Sequence, residues 1–167
     1  GGLPGTGMGS GERLALRVLD QIGFPALCWG ALKAGVVPVP LNTLLAPPVY
    51  AAILRDSRAR VLVVSEPLWD LVAPVLPKVP HVETVIVIGN AQDGAMRYAD
   101  FIAGGDPIAS PFDASDDDVA FWLYSSGSTG APNGVVHVHG ALRATADTYG
   151  AQVLGIRPDD VVFSAAT

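Results

Sequence analysis

The stretch of the chain best equipped for chemistry is Ser125-Ser-Gly-Ser-Thr-Gly-Ala-Pro-Asn-Gly134. Its ten residues hold three Gly, three Ser, one Thr and one Pro. An apolar run, Val119-Ala-Phe-Trp-Leu-Tyr124, leads in, and Gly134-Val-Val-His-Val138 leads out. The pattern predicts strand, loop, strand. Glycines let a backbone turn several N–H groups toward one anion and put no Cβ in the way. The Ser and Thr hydroxyls add donors. The composition fits a phosphate-cradling loop; the competing reading, and the commoner one for a bare Gly/Ser loop, is a β-hairpin turn rich in turn-forming residues.

Other chemistries fit less well. A Walker-type loop ends in Gly-Lys-Ser/Thr and opens a helix, whereas this one ends Pro132-Asn133-Gly134 and opens a β-branched strand. Ser126 lacks the flanking glycines of a nucleophile elbow. His137 and His139 alternate with valines and are expected on one strand face. The only other histidine is His81 and no cysteine is near, so no metal site is expected. Asp113, Asp116, Asp117 and Asp118 miss calcium-loop spacing, because Ser115 and Asp118 stand where an acid or amide and a glycine belong. They read as a solvated linker whose acids cap the next element of the chain. The glycine-rich residues 1–11 precede a strand instead of following one, which rules out a dinucleotide fingerprint. Residues 1–10 are expected to be a flexible end.

The elements that must position the loop are set by periodicity. Leu14–Leu19, Arg60–Val64 and Thr84–Ile88 are continuous apolar runs, as in strands covered on both faces. Phe24, Leu27, Cys28, Ala31 and Leu32 recur at helical spacing, with Gly35 as the stop. Val36–Pro40 is a short extended piece whose prolines suit a sheet edge. Pro47-Pro48 opens a second helix through Asp56. Ser65 is expected to cap a third that Pro74 bends or ends. A short helical stretch covers Tyr98–Ile102, and another helix runs from Gly140 to Val153. Strand and helix alternate, so the expected fold is α/β: a doubly wound, mostly parallel sheet with flanking helices.

Composition bounds the rest. The chain has 167 residues, half of them hydrophobic, 16% charged, with a net charge of −6. Two lysines and eight scattered arginines argue against a nucleic-acid partner. The longest apolar region, Phe24–Val39, is broken by Lys33 and Pro38, so no membrane span is expected. No leader is visible, and a cytoplasmic protein is the default. The single cysteine, Cys28, allows no internal disulfide and reads as a buried, inert thiol. The ends, Gly1 and Thr167, do not look like domain boundaries, and the chain reads as a fragment.

At the loop, Tyr124-Ser-Ser-Gly-Ser-Thr-Gly-Ala-Pro-Asn-Gly-Val-Val-His-Val-His139 strongly resembles the signature of the adenylate-forming superfamily. That superfamily contains acyl-CoA synthetases, luciferases and peptide-synthetase adenylation domains. Four other stretches are similar to benzoate-CoA ligases and close aryl-CoA ligases: residues Trp29–Thr43, Asp56–Ser65, Asp117–Tyr124 and Asp159–Ala166. The resemblance implies that 11–167 is part of an AMP-binding N-terminal domain, truncated at both ends. It implies ATP with magnesium, CoA as co-substrate, and an aromatic carboxylate that becomes first an acyl-adenylate and then a thioester. Carried over, Ser125, Ser126, Gly127, Ser128, Thr129 and Gly130 hold the β- and γ-phosphates, and His139 matches the histidine that closes the motif. Asn133 stands where the family has lysine, so the loop lacks a cation and weaker phosphate binding is expected. The family's threonine–glutamate motif, its ribose-binding aspartate and its C-terminal lysine have no counterpart in the 167 residues. No catalytic residue is therefore assigned, and no turnover is expected from this stretch alone. The alternative is a non-catalytic phosphate- or nucleotide-binding module of the same fold.

Overall fold

The computed structural model describes residues 5–19, 22–105, 110–126 and 132–161. Strand β1 (Arg13–Arg17) is followed by helix α1 (Gly23–Ala34), β2 (Val37–Pro40), α2 (Pro47–Ser57) and β3 (Val61–Ser65). A 3₁₀ turn (Glu66–Leu68), the short helix α3 (Trp69–Val72) and a second 3₁₀ segment (Ala73–Lys78) lead to β4 (Thr84–Ile88). Then come β5 (Met96–Arg97) and α4 (Tyr98–Ala103). Beyond the linker lie β6 (Val119–Ser126), β7 (Pro132–Val138), α5 (His139–Thr145) and a π-helical stretch, Ala146–Val153.

The first five strands form one parallel sheet in the order β2-β1-β3-β4-β5. Successive side chains of a strand point to opposite faces, so a fully apolar strand needs cover on both. Leu14, Leu16, Val61, Val63 and Ile86 pack with Leu27, Ala31 and Ala34 of α1 on one face. Ala15, Leu62, Val64, Val85 and Val87 pack with Tyr50, Ile53 and Leu54 of α2 on the other. The expected doubly wound architecture is therefore present. Met8, inside the glycine-rich stretch, is buried in the α1-side core.

Local signals act largely as their chemistry dictates. Gly35 caps α1 at φ 76°, a left-handed conformation that glycine adopts without a Cβ clash. Phe112 lies where a Cβ on Gly35 would go, 2.7 Å from that position, and its N–H donates to Lys33 O at 2.8 Å. This fastens the linker to the end of α1. Pro38 and Pro40 fall on β2, at the edge of the hydrogen-bonded order.

Three expectations change. Ser65 makes no side-chain cap; its Oγ accepts from Leu19 N–H at 3.0 Å, bridging the ends of β3 and β1. The helix after Val138 does not run as one α-helix. It widens at Ala146, where Thr145 and Thr148 donate their hydroxyls to the carbonyls of Ala141 and Ala144 and compete with the regular ladder. His139 opens that helix, because β7 ends at Val138, so His137 and His139 do not share a strand face.

Candidate functional site

β6 and β7 pair antiparallel, with Tyr124 opposite Gly134, Ser125 opposite Asn133 and Ser126 opposite Pro132. The strand–loop–strand reading of the motif is thus the observed topology. Gly127, Ser128, Thr129 and Gly130 lie outside the described residues. Of the loop positions with described side chains, Ser125 and Asn133 are exposed cross-strand partners. Directly opposed residues present their side chains on one face, so both stand together at the base of the loop.

His139 is not part of that group. Six residues separate it from Asn133, about 20 Å along an extended strand. Its N–H donates to Asp118 O at 3.0 Å, which ties the far end of the hairpin to the acidic linker. The Ser115 N–H on the Asp118 carboxylate holds that acid below its usual range, and the His139 imidazole adds to the effect. The expected capping of the next element by a linker acid is not seen there: the Asp118 carboxylate turns back to Ser115 within the linker, and only its backbone carbonyl meets His139. Among the described residues no group of three or more His, Cys, Asp or Glu could hold a metal.

The other face of the hairpin packs against the sheet domain. β6 lies beside β2 and β7 touches α2. The Arg13 guanidinium sits 5.8 Å from the Trp122 ring, while its Nε donates to Ser57 O at 2.7 Å. Tyr124 reaches α2: its hydroxyl donates to Asp56 Oδ2 at 2.5 Å. Burial first, and then that carboxylate, push the Tyr124 phenol above its ordinary value, so it stays protonated and keeps donating. At the opposite end, Phe121 stacks on His137 with centroids 4.6 Å apart.

Two residues escape sequence reasoning. Asp56 is one; a polar residue late in a helix gives no sign of a partner 68 positions away. Arg17 is the other. It is fully buried under α2, donates from Nη2 to Thr43 O and Leu45 O, and lies 4.1 Å from the Tyr50 ring centroid. Its Nε and Nη1 have no partner among the described residues. A cation inside the apolar run Leu14–Leu19 is the signal that could have found it. Cys28 is half-buried instead of fully buried, and that burial still pushes its thiol up to about 11, far from a reactive thiolate.

A parallel five-stranded sheet with helices on both faces, carrying a Gly/Ser hairpin loop at its side, defines a class. The family model for AMP-binding enzymes matches residues 1–167, and the chain belongs to that family. It is 49% identical over 155 residues to the benzoate–CoA ligase of Thauera aromatica, covering 93% of this chain and 29% of that protein. It superposes on the crystal structure of a benzoate CoA ligase from Burkholderia xenovorans with a TM-score of 0.85 and 40% identity, over 96% of this chain and 31% of that one. An anthranilate CoA ligase crystallised with anthranoyl-AMP matches with a TM-score of 0.86 and 37% identity, over 90% and 29% of the two chains. The chain spans under a third of the length of these relatives. Among its described residues no helix is long and apolar enough to cross a membrane.

Proposed function

We propose that the protein carrying this chain is an ATP-dependent aryl-acid CoA ligase acting on benzoate or a close aromatic carboxylate. The 49% identity to a benzoate–CoA ligase is the observation that carries this reading. In the first half-reaction a carboxylate oxygen attacks the α-phosphorus of ATP, and pyrophosphate leaves with the electrons of the broken P–O bond. In the second the CoA sulfur attacks the acyl carbon and AMP departs. Magnesium arrives with the triphosphate as part of the substrate. Such a reaction asks for positioning and charge stabilisation. The hairpin loop is assigned that work: Ser125, Ser126, Gly127, Ser128, Thr129 and Gly130 grip the β- and γ-phosphates through backbone N–H groups and hydroxyls.

Asn133 adds an amide and no charge, so loop affinity rests on neutral donors. That feature favours a second reading, a module that binds MgATP without reacting it. His139 is assigned to the site only through its place in the motif. The reaction belongs in the cytoplasm, where ATP and CoA are supplied, with neither nucleic acid nor membrane as a partner.

Benzoate-dependent exchange of pyrophosphate into ATP, followed by thioester formation on adding CoA, tests the reading in the full-length protein. Binding of MgATP without exchange would move the protein to the second reading, and absence of any aryl-CoA product would remove the first. The 167 residues alone should give no exchange, since they span under a third of the relatives they match. Turnover by this stretch alone would overturn that inference.

A further inference from the structure

We propose that Asp56 is a positioning residue for the nucleotide loop: through the Tyr124 hydroxyl it fixes the base of the hairpin that carries Ser125 and Asn133. The inference rests on the loop's assignment to phosphate. Tyr124 is the last residue before the loop, and Gly134 is its cross-strand partner on the return. The Tyr124 ring lies over Gly134 so closely that a Cβ there would meet Cζ at 3.0 Å and Oη at 3.1 Å. One aromatic side chain therefore spans both strands where the loop begins and ends. Its hydroxyl reaches Asp56 Oδ2 at 2.5 Å, and Asp56 sits in the last turn of α2.

That helix is a rigid base. Ile53, Leu54 and Ser57, on either side of Asp56 in sequence, are buried, and the Tyr50 hydroxyl donates to Leu71 O. Loop donors work on a phosphate only if their directions are set beforehand. A hairpin on its own twists and frays; one tied to a packed helix through a charge-assisted hydrogen bond does not. Sequence signatures centred on the glycines do not include Asp56.

The test uses the full-length protein with Tyr124→Phe, Asp56→Ala and Asp56→Asn, reading the MgATP dissociation constant by calorimetry, the KM values for ATP and benzoate, and the melting temperature. Tyr124→Phe and Asp56→Ala should each weaken MgATP binding roughly tenfold and leave the benzoate KM unchanged. Asp56→Asn keeps an acceptor for the phenol and should recover most of the affinity. A fall in melting temperature with unaltered MgATP affinity would make the pair a plain strut and overturn the proposal, as would an Asn variant as weak as the Ala variant. Should the unsubstituted protein bind MgATP yet exchange with no aryl acid, the ligase reading falls while the affinity series still decides the role of Asp56. Should it bind no MgATP, both fall.

Discussion

β3 and β7 are both short runs rich in valine, and the molecule treats them oppositely. Val61, Leu62, Val63 and Val64 are at most 1% exposed, whereas Val135 and Val136 are 46% and 48% exposed. β3 sits inside a five-stranded sheet with a core on each face; among the described residues β7 has one hydrogen-bonded neighbour. The same contrast divides the chain. The sheet half holds nearly all of the buried core, while Val119, Leu123, Tyr149, Leu154 and Ile156 of the hairpin half remain open. Phe121, His137, Leu142, Tyr149 and Leu154 line an apolar groove of about 440 Å³ there. Apolar sequence makes a strand; only neighbours make it buried.

Substitutions can break or sharpen this contrast. Leu62→Ala should cost about 3 kcal/mol, because it opens a cavity between packed layers, whereas Val136→Ala should cost under about 0.5 kcal/mol. Urea unfolding of the 167-residue chain measures both, and equal costs would mean that the hairpin valines are covered in solution. Arg17→Met should raise stability by about 1–3 kcal/mol, since it removes a buried guanidinium with two unpartnered donors. A lower urea midpoint would instead credit the Thr43 and Leu45 carbonyl bonds and the Tyr50 face. Asn133→Lys, in the exposed half, should tighten MgATP several-fold with little change in melting temperature. Unchanged binding would make the position immaterial.

A further effect concerns acid. The Arg60 guanidinium, and then the Gly9 N–H, hold the Glu12 carboxyl below the usual range. A lowered folded-state value stabilises above the unfolded pKa, near 4.3, and that contribution is lost as pH falls through the folded value. The pair is about one-third exposed, so Glu12→Gln should cost under about 1 kcal/mol at neutral pH and flatten the acid side of the stability profile. An unchanged profile would take Glu12 out of the acid response.

Much of this was legible in the residues themselves. The continuous apolar runs of β1, β3 and β4 called for a sheet covered twice, Gly35 marked the end of α1, and Gly/Ser punctuation marked the hairpin. Three things were not legible, for physical reasons. β5 is two residues, Met96 and Arg97, too short to show a period, and it exists because β4 offers an edge. Ser65 has the right chemistry for a cap, but a tertiary partner, Leu19 N–H, takes its oxygen. The Asp56–Tyr124 bond pairs residues 68 apart, and no local pattern encodes it. The loop's assignment to phosphate rests on motif chemistry, while the Asp56–Tyr124 bond at its base is visible only in the fold.

The linker contact at Phe112 has a mechanical consequence. The chain is pinned to α1 at Phe112, and six residues later Asp118 O holds His139 N–H. The other end of the hairpin is pinned to α2 at Tyr124. A ribbon fastened near both ends, with one face against the sheet domain, cannot slide along its length. Helices α1 and α2, which cover opposite faces of the sheet, thus each hold one end of the same hairpin.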